Sequence, residues 1–484
     1  MGLLGIVFAL LFLIFLAYRG WSILLLAPLA AMLAAMTAGQ PVLAHWTLTF
    51  MHGAGNFVAR FFPQFMLGAV FGKLMDDSGS LQTIAEFMTR KLGPQRAILA
   101  VVLSGTIVTY GGVNVIISYF VLVPMAHTIF KAGNIAHRLM PATIVLGTST
   151  YTMTALPGTP SIQNTIPAPY FGTTPFSAPG LGLIASAIML SFGLWWLIRA
   201  DRKARSQGIG YATGNGMSCD VASEDLLVRE RATTAHEFDP TELHRGSHST
   251  TQPNIGAAIL PLLVVLLVNL LMNLQVLPNM DTSYLADAFW GHTSLSALSG
   301  IWAVLTGLGA GLLCLLLINF KRLPSLRNSV DAGANAAALP VLSVASLVGF
   351  GSVVASLPAF ASVRDWLLAI PGGPLVSLAI SINTLAGLTG SASGGLTIAL
   401  QTLAPTFNNL SASLYIDPAL MHRVAVIGAG TLDSLPHNGA VISVLALSGA
   451  THHESYRDIV MVAIVGPMMA LIAVIMLGSI LGAF

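Results

Sequence analysis

Apolar runs dominate the chain, broken by short polar interruptions. Runs long enough to cross a ~30 Å hydrocarbon layer fall at about 3–18, 21–38, 57–75, 138–156 and 180–199, then at about 256–278, 297–319, 334–356, 421–448 and 458–481. The pattern predicts ten crossings, five on each side of a hydrophilic segment at 200–255. That segment is His- and Thr-rich and short of large apolar residues, which is the composition of a linker. Two further apolar regions are interrupted in their middle. Residues 97–108 run into TYGGVN at 109–114 before the apolar pattern returns to about 131, and residues 374–388 run into TGSASGG at 389–395 before it returns to about 409. Each half is short for a crossing, so each region is expected to be a re-entrant hairpin, a form allowed at depth only where protein or water satisfies the backbone. A short amphipathic piece precedes each, at 81–93 and 360–372.

Composition agrees with this map and narrows it. Of 484 residues, 55% are hydrophobic and 8% charged, against about 25% charged in a soluble domain, and mean hydropathy is +0.79. With the 200–255 linker placed in the cytoplasm, 18 of the 21 Lys and Arg fall inside and only Arg60, Arg364 and Arg423 outside, as the positive-inside rule requires. Both termini are then external. The N-terminus lacks the basic start and small-residue cleavage site of a signal peptide, so it is expected to stay as the first span. The net charge of +2 says nothing about nucleic acid, and with no basic patch interleaved with aromatics no nucleic-acid partner is expected. Cys219 and Cys314 are far apart and imply no disulfide framework.

The two halves correspond at a nearly constant spacing. Phe71-Gly72 matches Phe350-Gly351, Gly93 matches Gly372 and Pro157 matches Pro436, all 279 positions on, and Pro124 matches Pro405 at 281. Five crossings per half is an odd number, so the halves are expected to lie in opposite orientations. The expected fold class is an all-α polytopic membrane protein of two inverted repeats of five transmembrane helices, each with a re-entrant hairpin and a broken helix. The first repeat spans 1–199 (hairpin about 97–131, broken helix about 138–166) and the second 256–484 (hairpin about 374–409, broken helix about 421–448). Inverted repeats with broken helices mark secondary transporters, whose sites lie near the bilayer midplane where the repeats meet.

The candidate chemistry sits in the interruptions. At the hairpin tips, Gly111-Gly112 and Gly394-Gly395 permit close approach and positive φ, while Thr109, Tyr110, Asn114, Ser391, Ser393 and Thr397 offer neutral hydrogen bonds. Half-helices ending there direct amides with partial positive charge at an anion, without a buried Arg. The competing account is that these are only small-residue packing surfaces. The breaks are GTSTYTMTALPGTPSIQN (147–164) and GAGTLDSLPHNGA (428–440). Their prolines free backbone carbonyls, and Gly158, Thr159, Ser161, Gln163, Asn164, Ser434 and Asn438 can hold a ligand or cation. Asp433 is the only acid expected in the embedded part of the second repeat, and with His437 it is the candidate for carrying a coupling proton; a helix cap and a neutral hydrogen-bonding group are the alternatives. Arg138 and Arg423 are expected to snorkel to an interface, and His127, His137 and His422 to be interfacial. No HExxH, GxSxG or phosphate-binding loop is present, so no metal or cofactor is expected.

The stretch 66–105, the hairpins and GAGTLDSLPHNGA resemble the gluconate permease (GntP) family of bacterial inner-membrane symporters. The resemblance implies a homodimer in the cell inner membrane, a scaffold with a moving transport domain, and proton-coupled uptake of a sugar acid or hydroxy acid by elevator-like alternation. Gluconate permeases carry PPHPGP in the first break, where this chain has Leu156-Pro157-Gly158-Thr159-Pro160. A shorter acid such as 3-hydroxybutyrate therefore fits as well as gluconate. Two other readings remain open from the residues: a Na+-coupled di- or tricarboxylate transporter, and an intramembrane hydrolase using Asp433 and His437.

Overall fold

The computed structural model describes residues 2–19, 21–211, 239, 241–242, 245–368, 370–436 and 438–484. Cys219, His437 and most of the expected linker lie outside the described residues. Every regular element among those described is helical. The chain opens with α1 (Gly2–Tyr18) and α2 (Ile23–Thr37), then a π turn leads into α3 (Met51–Asp77). Gly79, at φ 75°, admits the amphipathic α4 (Ser80–Leu92), and Gly93-Pro94 ends it. α5 (Ala97–Tyr110) and α6 (Val115–Ala132) form the first hairpin. α7 (Met140–Thr148) then stops, and single turns at Tyr151–Thr154, Ile162–Thr165 and Ala168–Phe171 carry the chain to α8 (Pro179–Ser206).

The second half has its own long helices, hairpin and break. α9 (Ile255–Leu271) and α10 (Leu295–Asn319) are long and apolar. α11 (Leu326–Ala336) and α12 (Ala338–Ser356) follow, then α13 (Phe360–Leu368). α14 (Gly373–Thr389) and α15 (Ala392–Leu414) make the second hairpin. α16 (Pro418–Ala429) breaks before α17 (Gly439–Ser448), and α18 (His452–Val460) passes through a π turn into α19 (Gly466–Leu481). α12 packs on α2 and α3, α14 on α16, α6 on α17, and α15 on the single turn Ile162–Thr165. The hairpin of each half thus reaches the break of the other.

Six helices among the described residues are long and apolar enough to span, or seven with the pair Ser80–Leu92 and Pro94–Tyr110, which is bent by 105°. Five coincide with expected crossings. α1 and α2, at 17 and 15 residues, are short, α3 is long but carries charge, and the two broken helices are divided. The sixth is α6, which corrects the expectation that each hairpin half is too short to cross. The return helices α6 and α15 have 18 and 23 residues, about 27 and 34 Å at 1.5 Å per residue. Pro124 and Pro405 lie inside them without ending them.

Beneath α3, the chain at 247–253 is tied down by named bonds. Ser249 N donates to Asp77 O at 2.7 Å, and Thr83 Oγ1 to Pro253 O at 3.3 Å. His248 Nδ1 lies 2.8 Å from Asp77 Oδ1, which also takes Lys73 Nζ at 2.9 Å. Lys73 and Asp77 are fully buried, so the cytoplasmic charge expected at Lys73 is a buried ion pair instead.

Candidate functional site

Side-chain caps build both breaks and both tips. A helix start leaves amides without partners, and a short polar side chain just before it supplies an acceptor. Asn114 Oδ1 accepts Ile116 N at 2.8 Å to start α6, and Ser391 Oγ accepts Gly394 N at 3.1 Å to start α15. Ser161 Oγ accepts Asn164 N at 3.3 Å, and Asn438 Oδ1 accepts Ala440 N at 2.7 Å. Four residues singled out as ligand groups therefore hold helix N-termini at the interruptions, where the helix dipole favours an anion. Of the two glycine pairs, only Gly112 has positive φ, at 98°. Gly111, Gly394 and Gly395 serve close packing: a Cβ on Gly395 would stand 2.3 Å from the Ala386 backbone, and one on Gly111 2.4 Å from Leu262.

A cavity of about 70 Å³ lies where the first tip, the first break and α3 meet; one water needs ~10–15 Å³ on this measure. Its wall is Gln64, Phe65, Gly68 and Ala69 of α3, Thr109 and Gly112 to Val115 of the tip, Thr152, Met153 and Pro160 to Gln163 of the break, and Leu308 of α10. No charged side chain lines it. Of the expected site residues, Thr109, Gly112, Asn114, Ser161 and Gln163 are in this wall. Gln64 was not foreseen. Its Nε2 donates to Pro160 O at 3.2 Å and Thr165 Oγ1 at 3.0 Å. Pro160 O can only accept, which fixes the amide and leaves Oε1 buried without a partner among the described residues.

The remaining first-half candidates brace this wall. Tyr110 OH donates to Pro157 O at 2.8 Å, Gly158 N to Pro175 O at 2.9 Å, and Asn269 Nδ2 to Gly158 O at 3.0 Å. Asn164 Nδ2 donates to Thr159 O at 3.1 Å and Pro175 O at 2.9 Å. The Thr159 hydroxyl is buried without a partner among the described residues.

Among the described residues, the second-half candidates lie outside the cavity and form a group of their own. Asp433 is 5% exposed; Asn438 Nδ2 donates to its Oδ1 at 2.7 Å and to Gly390 O at 2.9 Å. Ser391 and Ser393 hydroxyls are 3.4 Å apart, Thr397 bonds back to Ser393 O at 2.6 Å, and Tyr456 OH donates to Ser434 O at 3.2 Å. α6 joins the two groups. Its first turn lines the cavity, and one turn on, Tyr119 is buried with its hydroxyl 2.8 Å from Ser149 Oγ and within electrostatic reach of Asp433.

Three expectations about charge are corrected, at Arg423, His422 and Asp458. Arg423 and His422 are fully buried, not interfacial: Arg423 meets backbone carbonyls of the first break, and His422 Nδ1 lies 2.7 Å from Thr173 Oγ1. Arg138 pairs with Asp458. Asp458, 1% exposed and also bonded by Trp196 Nε1 at 2.9 Å, is a second buried acid beside Asp433. His127 and His137 are half-buried and stacked, with ring centroids 5.3 Å apart, and His127 Nδ1 is 2.7 Å from Tyr211 OH. Among the described residues, only Asp76, Asp77 and His248 have metal-like spacing, and Lys73 already occupies Asp77.

The profile of the GntP family permeases matches residues 1–170. The chain is 36% identical over 488 aligned residues to the uncharacterized transporter YxjC of Bacillus subtilis (strain 168), covering 100% of both. Among solved structures, the YdaH transporter of Alcanivorax borkumensis aligns over 90% of this chain and 88% of its own, with TM-score 0.46 and 17% identity. The hydrolase reading of Asp433 and His437 is thereby set aside. The chain belongs to the GntP permease family and is a multi-pass membrane transporter, not an enzyme.

Proposed function

We propose that the protein is a secondary transporter that carries a small hydroxy carboxylate with protons, built from two inverted repeats. The observation that carries the coupling is the environment of Asp433. Its carboxylate is buried, receives a hydrogen bond from Asn438, and has no cationic partner among the described residues. A buried carboxylate is expensive to keep charged without such a partner, so taking up and releasing a proton is the inexpensive way to use it. Freed carbonyls that would draw Na+ already have protein donors: Gly390 O takes Asn438, and Pro436 O has His452 Nε2 at 3.0 Å.

The substrate class follows from the cavity. The α6 N-terminus favours a carboxylate, and the orphaned Gln64 Oε1 is suited to accept from a substrate hydroxyl. Charge enters the site with the substrate, and the neutral wall gives it no competing acid. α6 would carry the movement at the tip to Tyr119 and Asp433. Following the family resemblance, we place the protein in the bacterial inner membrane as a homodimer with external termini, working by elevator-like alternation of the hairpins and breaks against a scaffold. The test is uptake of labelled carboxylates into proteoliposomes, driven separately by a pH gradient and by a Na+ gradient. Concentrative uptake of a hydroxy acid under the pH gradient alone is expected; uptake that needs Na+ would refute the coupling.

A further inference from the structure

The buried Arg423 stands outside the account so far. It lies on α16, fully buried, and its guanidinium is surrounded by oxygens of the first break and the loop beyond it. Nη2 and Nε donate to Ser177 O at 2.6 and 3.1 Å. Nη1 donates to Ala155 O at 3.2 Å, with Thr154 O and Asn164 Oδ1 at 3.4 Å, and Nη2 has Pro175 O at 3.4 Å. No carboxylate pairs with it among the described residues. Asn164, which orients one of these oxygens, is itself held by Thr159 O and Pro175 O and faces His422 Nε2 at 3.4 Å.

This is the kind of oxygen cage in which broken helices of transporters hold a coupling cation, with carbonyls freed by the loss of helical bonding. Here a side chain from the other half of the chain fills it. A guanidinium stays protonated at any physiological pH, so the charge is permanent. It is also close to the cavity. Ser161 lines the wall and bonds Met153 O at 2.7 Å, and the guanidinium takes the next two carbonyls, those of Thr154 and Ala155. A buried positive charge without a carboxylate partner is unfavourable until an anion arrives nearby.

We propose that Arg423 is a resident cation: its guanidinium fills the carbonyl cage of the first break in place of a transported Na+ and supplies the positive charge against which a carboxylate binds in the adjoining cavity. The inference rests on the carboxylate reading above. It makes Arg423 a positioning and charge-supplying residue whose fork replaces an ion, and it accounts for a binding wall that contains no cation of its own. Half of the site's electrostatics is then fixed in the protein, while the half that changes during transport is left to Asp433.

The test is carboxylate exchange in proteoliposomes in choline buffer free of Na+, which needs no net proton movement and so reads binding apart from coupling. Arg423→Gln, neutral but able to donate, is expected to lose about tenfold or more in apparent affinity, the scale of one well-placed charge, whereas Arg423→Lys keeps most of it. Equal behaviour of the Lys and Gln variants would overturn the proposal, because satisfying carbonyls alone would then suffice. Arg423→Ala empties the cage, and millimolar guanidinium is expected to restore its exchange where choline does not. Should wild type exchange no carboxylate, the functional reading fails, and the cage is judged by thermal unfolding of Arg423→Ala. Stabilisation by guanidinium over choline supports the resident cation, and no difference overturns it.

Discussion

The two breaks are built alike and loaded differently. Each interrupts a helix with proline, restarts on a polar cap, Ser161 in one and Asn438 in the other, and packs against the other half's hairpin. The first break encloses a cavity with an uncharged wall, and behind that wall it holds Arg423, a fixed positive charge. The second holds Asp433, whose charge can change by one proton. The difference teaches that two breaks of similar construction need not share their chemistry equally. On the proposed reading, binding groups gather where the wall is uncharged, and the titratable group is kept one helix away, linked by α6, so that a proton would be exchanged without exposing the ligand site to water.

The largest effect that would break this comparison lies at Asp433. Asp433→Asn is expected to abolish concentrative uptake while leaving carboxylate exchange within about threefold of wild type, the range of a near-isosteric change; loss of both activities together would merge the two breaks into one site. Next comes Asn438→Ala, which removes the cap and strips a donor from Asp433 and Gly390. Loss of a cap and of buried hydrogen bonds amounts to about 2–4 kcal/mol, read as a lower midpoint of thermal unfolding, and an unchanged midpoint contradicts the cap. Gln64→Met sharpens the first break alone: KM for a hydroxy acid should rise roughly tenfold, as for one unpaired buried group, with KM for its deoxy analogue unmoved. Equal changes in both would mean Gln64 only braces Pro160.

The smallest effect belongs to neither break. Asp77, accepting from His248, raises that imidazole above its ordinary 6.5. A raised value stabilises the fold fully below pH 6.5 and ceases to do so as pH climbs through the folded value. His248 is 64% exposed, so the contribution stays below about 1 kcal/mol. Comparison of His248→Ala with wild type should show a stability gap at pH 6 that narrows by pH 8; a gap that widens with pH has the wrong sign.

Hydropathy made most of this fold legible. Long apolar runs, glycine-proline stops and tip residues place nearly every helix. What it missed had physical causes. The return helix α6 is long enough to cross, and α15 runs on to Leu414, because a proline in mid-helix removes one bond without ending the helix, as Pro124 and Pro405 show. Polar residues at a break look alike in sequence whether they face a ligand or cap a helix, so Asn114, Ser391 and Asn438 were visible and their capping role was not. The sequence points to an interfacial Arg423 because one Arg in an apolar run usually snorkels; its carbonyl partners come from 246 to 269 residues away in the chain. Gln64 gave one signal, an uncharged polar residue beside Pro63 in an apolar run, and only the tertiary contact with Pro160 reveals its orphaned oxygen.

Proton movement during transport tests the central claim most directly. Proteoliposomes loaded with a pH-sensitive dye, free of Na+ and with no imposed pH gradient, should acidify inside when a transported hydroxy carboxylate is added to wild type, and show no acidification with Asp433→Asn even though labelled substrate still exchanges. Acidification at the wild-type rate in Asp433→Asn, or substrate entry into wild type without acidification, would contradict the division of binding and coupling between the two breaks.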